Sequence, residues 1–322
     1  MKKFIVVTTI NPPTEAIKKF ARFSDWCVVV VSDKKTPKNW QTSNVVYLSC
    51  DYQEKYSFKL PWNSYVRKMI GYLYAMRSGA EVIVDTDDDN IPYNNWGFPN
   101  TKINDCLSGE GFENVYKMFS NLNIWPRGFP LNYIDNDISI DVNRTNKKVG
   151  IWQGLADKDP DVDAIYRMIK EESDCWFIKR PPLAFDEGLV CPFNSQNTLF
   201  KKELFPLLYL PVTVNQRFAD ILRGYVAQPI MWKAGYILGF TEATVYQERN
   251  EHDLMVDFID ELPCYTQSES AFNTVKEVVS SECSMEENLK KAYLALYKTG
   301  IVKLAELQYV CDWLKAVGEN NE

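Results

Sequence analysis

Residues 80–92 read Ala80-Glu81-Val82-Ile83-Val84-Asp85-Thr86-Asp87-Asp88-Asp89-Asn90-Ile91-Pro92, an apolar strand running straight into carboxylates. The β-branched run Val82-Ile83-Val84 suits a buried strand, and Pro92 cannot continue a central ladder, so the acids stand at a strand's C-terminal edge. In an extended chain the period of two would put Asp85, Asp87 and Asp89 on one side and Thr86 and Asp88 on the other. Two carboxylates about 4 Å apart repel by roughly 4 kcal/mol at an effective dielectric of about 20, so the cluster calls for a cation or for protonation. A hard divalent ion, Mg²⁺ or Mn²⁺, shared with substrate phosphates, suits such oxygen ligands.

Three other readings of such a stretch fit less well. An acidic solvated turn needs neither the strand in front nor the proline behind, whereas open α/β sheets bind ligands at the carboxyl ends of their strands. An EF-hand would need Gly after Asp89 and Glu at the twelfth loop position, where Asn90 and Trp96 stand. A phosphoaspartyl-type phosphatase also follows a strand with Asp-x-Asp, and Asp85-Thr86-Asp87 satisfies it. That motif opens its domain, however, and here 84 residues precede Asp85.

Working outward, Lys3 to Thr9 is a first buried strand, and Thr14 can cap a helix through Phe23. Trp26 to Val31 and Val45 to Leu48 are two further strands. Asn63 can cap a helix through Ser78, with Gly79 as its stop. Strand, helix, strand, strand, helix, strand is the grammar of a doubly wound, mostly parallel sheet. No G-x-G-x-x-G follows the first strand, so a dinucleotide fingerprint is absent. A nucleotide could still meet Thr8, Thr9, Asn11 and Asp33 at the strand ends, beside the acids.

Composition narrows the class. A net charge of −7 and a pI near 5.1 argue against nucleic-acid or anionic-membrane partners, which need a basic patch. Eight scattered cysteines without a CxxC pair, and a single histidine, suggest neither a zinc site nor a disulfide framework. The apolar run before Thr8 is too short for a signal peptide or membrane span, so the expected location is cytoplasmic.

Tyr93 to Asp141 is rich in Asn, Gly, Trp and Pro, as a substrate-binding loop region would be. Val149 to Gly154 reads as a strand, followed by an acidic turn into a helix from Ala164 to Ile169. Asp161 and Asp163 in that turn suit a helix N-terminus. Phe205 to Thr213 resembles a buried edge leading to a helix that starts at Arg217 and runs through Trp232. Met285 to Val317 carries Leu289, Ala292, Tyr293, Leu296, Leu304, Leu307, Val310 and Leu314 at helical spacing, the pattern of a packing helical pair. These limits give a domain over 1–255 and a helical extension over 256–322, through which a homo-oligomer could form.

Seven ordered blocks resemble the STELLO-type glycosyltransferases: TTINPPTEAI, SDKKTP, PWNSYVRKMIGYLYAMRSGAEVIVDTDDDNIP, WPRGFPL, QGLADKDPDVDAIYR, RFADILRGYVAQPIMW and QERNEHD. More distantly they resemble the UDP-arabinopyranose mutases. The resemblance implies a GT-A fold, a UDP-sugar or related donor, a hydroxyl acceptor, and an Asp-x-Asp site for Mn²⁺ or Mg²⁺ at Asp87 and Asp89. It places Thr8, Thr9, Asn11 and Asp33 by the nucleoside and Arg67 by the diphosphate. Asp88, Arg223 and Arg249 are further candidates for donor contacts, and His252 for the metal or diphosphate. Asp220 is the candidate base for the acceptor hydroxyl. Arg127 matches the arginine that becomes glycosylated in the mutases, but their second arginine is Ile134 here. A self-glycosylating mutase and a non-catalytic assembly partner are therefore the alternatives.

Overall fold

The computed structural model describes residues 1–99, 103–169, 174–248 and 253–319. The strands are β1 (Lys3–Thr9), β2 (Trp26–Ser32), β3 (Val45–Leu48), β4 (Val82–Thr86), β5 (Asn90–Pro92), β6 (Asp105–Ser108), β7 (Gly111–Phe112), β8 (Asp141–Arg144), β9 (Lys148–Lys158), β10 (Leu183–Phe185), β11 (Leu189–Val190), β12 (Asn197–Lys201) and β13 (Tyr236–Gln247). The α-helices are α1 (Glu15–Phe20), α2 (Cys50–Gln53), α3 (Lys68–Arg77), α4 (Val115–Phe119), α5 (Ala164–Ile169), α6 (Gln216–Lys233), α7 (Leu254–Val278), α8 (Met285–Lys298) and α9 (Ala305–Gly318).

The main sheet runs β3-β2-β1-β4-β12-β9-β13-β10-β6-β8, with β5 paired to the end of β13. β1 to β4 are mutually parallel, as are β9 and β13, and β12 lies antiparallel between β4 and β9. The strands from β3 to β4 and the pair β9 and β13 therefore all point one way. Ile5, Val6 and Val7 of β1 and Val28 to Val31 of β2 have no exposed surface, because helices cover both faces of a parallel sheet. This is the expected mixed α/β architecture, consistent with a GT-A-like fold.

Three local expectations change. Asn63 is not a helix cap: it sits at φ 54°, and its backbone N–H donates to Asp33 Oδ1 at 2.8 Å. The helix begins instead as a 3-10 turn at Tyr65–Arg67 and becomes α3 at Lys68. The expected edge at Phe205 is 3-10 helix over Lys202–Leu208, where Pro206 lacks the N–H that a ladder needs. The third change is at the acidic stretch. The chain does not stay extended after Thr86 but turns at Asp88 and Asp89, and Asn90 N–H reaches back to Asp87 O at 3.4 Å. The predicted cap at Thr14 is present, accepting from Ile17 N–H at 3.3 Å, although α1 ends at Phe20.

The C-terminal helices are not a loose appendage. Phe272 of α7 packs edge-on against Tyr225 and Trp232 of α6. Trp313 of α9 is wholly buried and donates to Pro206 O at 2.9 Å. α8 and α9 form the foreseen pair, broken at Gly300, whose φ is 79°. One apolar cluster runs through both the sheet and these helices. Among the described residues no helix is long and apolar enough to cross a membrane.

Candidate active-site cleft at the strand ends

A cleft of about 470 Å³ opens at the C-terminal ends of β1, β2 and β4. Its size and its place outside the strand ends suit a ligand site in an open α/β sheet. Thr8, Thr9, Asn11, Asp33, Asn63 and Ser64 line it, and so do Asp87, Asp88 and Asp89. The turn after β4 is what brings all three acids to one cavity. Asp85 is spent elsewhere: it is fully buried, 2.8 Å from Lys68 Nζ and 2.7 Å from Arg223 Nη1.

Each acid of the turn has different company. Asp87 Oδ1 accepts from Lys68 Nζ at 2.8 Å and from the Tyr65 hydroxyl at 2.7 Å. Burial nonetheless raises its carboxyl, with Lys68 opposing. Asp88 Oδ2 accepts from Asn11 Nδ2 at 3.1 Å and from the Thr9 hydroxyl. Asp89 Oδ2 accepts from Gln247 Nε2 at 2.8 Å, while its Oδ1 is buried and has no hydrogen-bond partner among the described residues. Burial, then the neighbouring Asp87, push the Asp89 carboxyl up to about 7.

Cations face these acids from another side. Arg167, Arg217 and Lys35 line the same cleft. Arg217 Nη2 holds Asp257 at 3.1 Å and Glu261 at 2.8 Å, while Arg167 pairs with Asp159 through Nη1 and holds Pro160 O through Nη2 at 3.0 Å. The Nε groups of both arginines are buried and have no partner among the described residues. Lys35 is exposed and makes no ion pair with any described residue. Asp161 also reaches the cleft, where Arg127 Nε at 2.8 Å and Asn194 Nδ2 at 2.6 Å fix its two oxygens. Burial works to raise Asp161, but the Arg127 guanidinium outweighs it and holds the carboxyl below the usual range.

No family model matches this sequence. Among curated proteins it is 31% identical to Probable glycosyltransferase STELLO2 of Arabidopsis thaliana over 275 residues, 76% of this chain and 36% of that protein. It is 27% identical to Probable glycosyltransferase STELLO1 of the same plant over 341 aligned positions, 98% of this chain and 44% of that protein. The chain is a STELLO homologue. It spans less than half the length of these relatives.

In this STELLO homologue the sequence-predicted residues fall into three groups. Thr8, Thr9, Asn11, Asp33, Asp87, Asp88 and Asp89 converge on the cleft. Asp33 is also a scaffold, since its carboxylate accepts from the N–H groups of Lys34, Asn63 and Ser64 at 2.6, 2.8 and 3.0 Å. Arg67, Arg223, Arg127 and Asp220 do not line it. Arg67 is buried against the Trp62 ring at 3.4 Å and bonds Gln53 Oε1 at 2.7 Å. Arg223 serves Asp85, and Arg127 locks to Asp220 at 3.0 Å as well as to Asp161. Arg249 and His252 lie outside the described residues.

Sequence reasoning missed Arg167, Arg217, Lys35 and the cleft role of Asp161. The blocks SDKKTP, QGLADKDPDVDAIYR and RFADILRG contain all four, but spacing alone could not tell which charged groups turn inward.

Proposed function

We propose that this chain is a metal-dependent glycosyltransferase of GT-A type, transferring sugar from a nucleotide-sugar donor, UDP-linked by preference, to a hydroxyl acceptor. The observation that carries the reading is that groups of both signs meet at one cleft, Asp87, Asp88 and Asp89 with Arg167, Arg217 and Lys35. Among the described residues Asp89 Oδ1 has no donor, and the buried Nε groups of Arg167 and Arg217 have no acceptor. Buried polar groups without partners are rare in folded proteins, and a divalent cation carrying a diphosphate satisfies both signs at once.

Among the described residues no three His, Cys, Asp or Glu side chains are grouped to enclose a metal ion. Mg²⁺ takes one or two carboxylates and fills its remaining positions with phosphate oxygens and water. Asp87 and Asp89 are the residues that would hold Mn²⁺ or Mg²⁺. The bound ion would supply Lewis-acid stabilisation of the leaving diphosphate.

The chain's own groups do the rest. Thr8, Thr9, Asn11 and Asp33 shape the nucleoside end, and Arg167, Arg217 and Lys35 offset the charge of the diphosphate. Asp161, kept ionised by Arg127, accepts a hydrogen bond from the acceptor hydroxyl and orients it. Asp220 acts at one remove, by holding Arg127. A mutase that glycosylates Arg127 is disfavoured because that guanidinium is buried and bonded to Asp161, Asp220 and the Arg217 carbonyl.

Calorimetric titration of UDP, GDP, CMP and dTDP, with and without Mn²⁺, on the wild type and Asp87→Asn tests the proposal. Metal-dependent binding of one nucleotide, lost in the variant, is expected. Absence of binding by all four would overturn it and leave the phosphatase and assembly readings to be tested.

A further inference from the structure

A second cavity, of about 610 Å³, lies at the opposite ends of the strands from the acidic cleft. It is bounded by the first residues of β1, β2, β4 and β9 and by the last residue of β12. Its wall is aromatic: Phe23, Trp26, Trp96, Phe98 and Trp152 all contribute. Trp96 sits at the centre of that wall, within 5.3 Å of the Phe23 and Trp26 rings and 5.9 Å of Phe98. Its indole N–H is already used, on Asn197 Oδ1 at 3.2 Å, so what it offers the cavity is ring.

The charges around this wall do not cancel. Lys3 is held by Asp25 at 2.6 Å, and Lys147 by Asp186 at 2.7 Å and Glu187 at 3.7 Å. Lys148 and Lys201 line the same cavity and form no ion pair with any described residue. Burial, together with Lys148 and against Glu203, holds the Lys201 ammonium below its usual value. Two neighbouring ammonium groups against an apolar wall are complementary to an anion with an apolar body. Among the described lining residues hydroxyl partners are scarce: the one amide or hydroxyl side chain there is Asn146, and Asp25 is committed to Lys3. A polyhydroxylated sugar would leave most of its hydroxyls unmatched there, which costs binding energy for every one buried.

We propose that this cavity is a binding site for a small amphipathic acid, an aryl or acyl body carrying one anionic group, with Lys148 and Lys201 as its counter-charges and Trp26 and Trp152 against its apolar part. It is separate from the acidic cleft and does not depend on the glycosyltransferase reading.

The test uses the fluorescent probe 1-anilinonaphthalene-8-sulfonate on the full chain, with displacement by decanoate, 2-naphthoate, the neutral decanol and a galacturonate trimer. Saturable binding at one site is expected, displaced by the two carboxylates at least tenfold more effectively than by decanol. The double variant Lys148→Glu/Lys201→Gln should lose at least tenfold in probe affinity, and Asp87→Asn should lose none. On the wild type, decanoate should protect Lys148 and Lys201 from reductive methylation, read by mass spectrometry, so the result does not hang on the variant folding. Equal displacement by decanol and decanoate, stronger displacement by the galacturonate trimer, loss of probe binding in Asp87→Asn, or methylation of both lysines unchanged by decanoate would each overturn the assignment.

Discussion

Lys68 Nζ lies 2.8 Å from Asp87 Oδ1, the first carboxylate of the acidic turn, and 2.8 Å from Asp85 Oδ1. The ammonium has no exposed surface and a third neighbour in the Tyr65 hydroxyl, at 2.7 Å. One α3 side chain thus ties the buried end of β4 to the wall of the cleft. Desolvation opposes its charge, but Asp85 and Asp87 outweigh it and hold the Lys68 ammonium above the usual range. Lys68→Met removes that cation and leaves Asp85 with Arg223 alone. Losing one partner of a buried ionic network costs about 3–5 kcal/mol. An unfolding free energy from urea titration that falls by less than a fifth of that would show that the network is dispensable.

Asp89 makes the cleft sensitive to pH. Its folded carboxyl is raised to about 7 from 3.8. A raised acid means that the folded state binds the proton more tightly than the unfolded chain. The contribution to stability is full below the unfolded value and is lost as pH rises from about 4 through about 7, amounting to as much as ~4 kcal/mol. Asp89→Asn should therefore leave stability unchanged at pH 4 and raise it at pH 8. A divalent cation that needs the ionised carboxylate should bind more tightly at pH 8 than at pH 6. Urea melts at the two extremes, with and without Mg²⁺, check both signs.

The first ninety residues were legible because their strands are runs of β-branched residues buried on both faces, which leave few alternatives. The convergence of Thr8, Thr9, Asn11 and Asp33 with the acids followed from strand direction alone. The long strands β9 and β13 and the antiparallel insertion of β12 were less so. β13 carries Gly239, Thr241, Glu242 and Thr244 among its apolar residues and pairs through two register shifts beyond Thr241, so no clean alternation marks it. Two of the candidate arginines stand away from the cleft for a related reason. Arg67 and Arg223 stand in promising blocks, yet each is drawn inward by a buried acceptor that sequence does not reveal, Gln53 for one and Asp85 for the other.

The close seating of α3 on the sheet rests on Gly71. A Cβ there would stand 2.5 Å from Val6 Cγ1 and 2.7 Å from Val31 Cγ2, on two strands that lead to the cleft. Gly71→Ala gains up to about 1 kcal/mol of helix propensity. Overpacking costs about 1–3 kcal/mol, so net destabilisation is expected. A variant with an unchanged thermal midpoint would mean that the helix shifts freely.

Arg217 should read the diphosphate in particular. A charge-assisted hydrogen bond contributes about 1.5–3 kcal/mol, or roughly tenfold to a hundredfold in affinity. Arg217→Ala should cost that much in UDP binding and little in UMP binding, measured by calorimetry on protein whose fold is verified by circular dichroism. An equal loss for both nucleotides would place Arg217 in the scaffold, through Glu261 and Asp257, and outside the donor site.

Arg127 separates transfer from self-glycosylation. Its guanidinium lies between Asp161 and Asp220, at 2.8 and 3.0 Å, so a glycosidic bond to nitrogen would have to break one of these pairs. Incubation with labelled UDP-sugars should leave no covalent label on the wild-type chain. Arg127→Leu leaves two buried carboxylates without their cation, a loss of about 3–5 kcal/mol near neutral pH. In the wild type Asp161 is held below its usual value, so it contributes stability above the unfolded pKa that is lost as pH falls. In the variant burial, the largest influence on that carboxyl, is opposed only by Arg217 and the Asn194 hydrogen bond, so the variant should lose less stability than the wild type as pH is lowered from about 7 to about 5. Equilibrium unfolding across that window distinguishes the ionic lock from simple loss of packing, which would lower stability by the same amount at every pH.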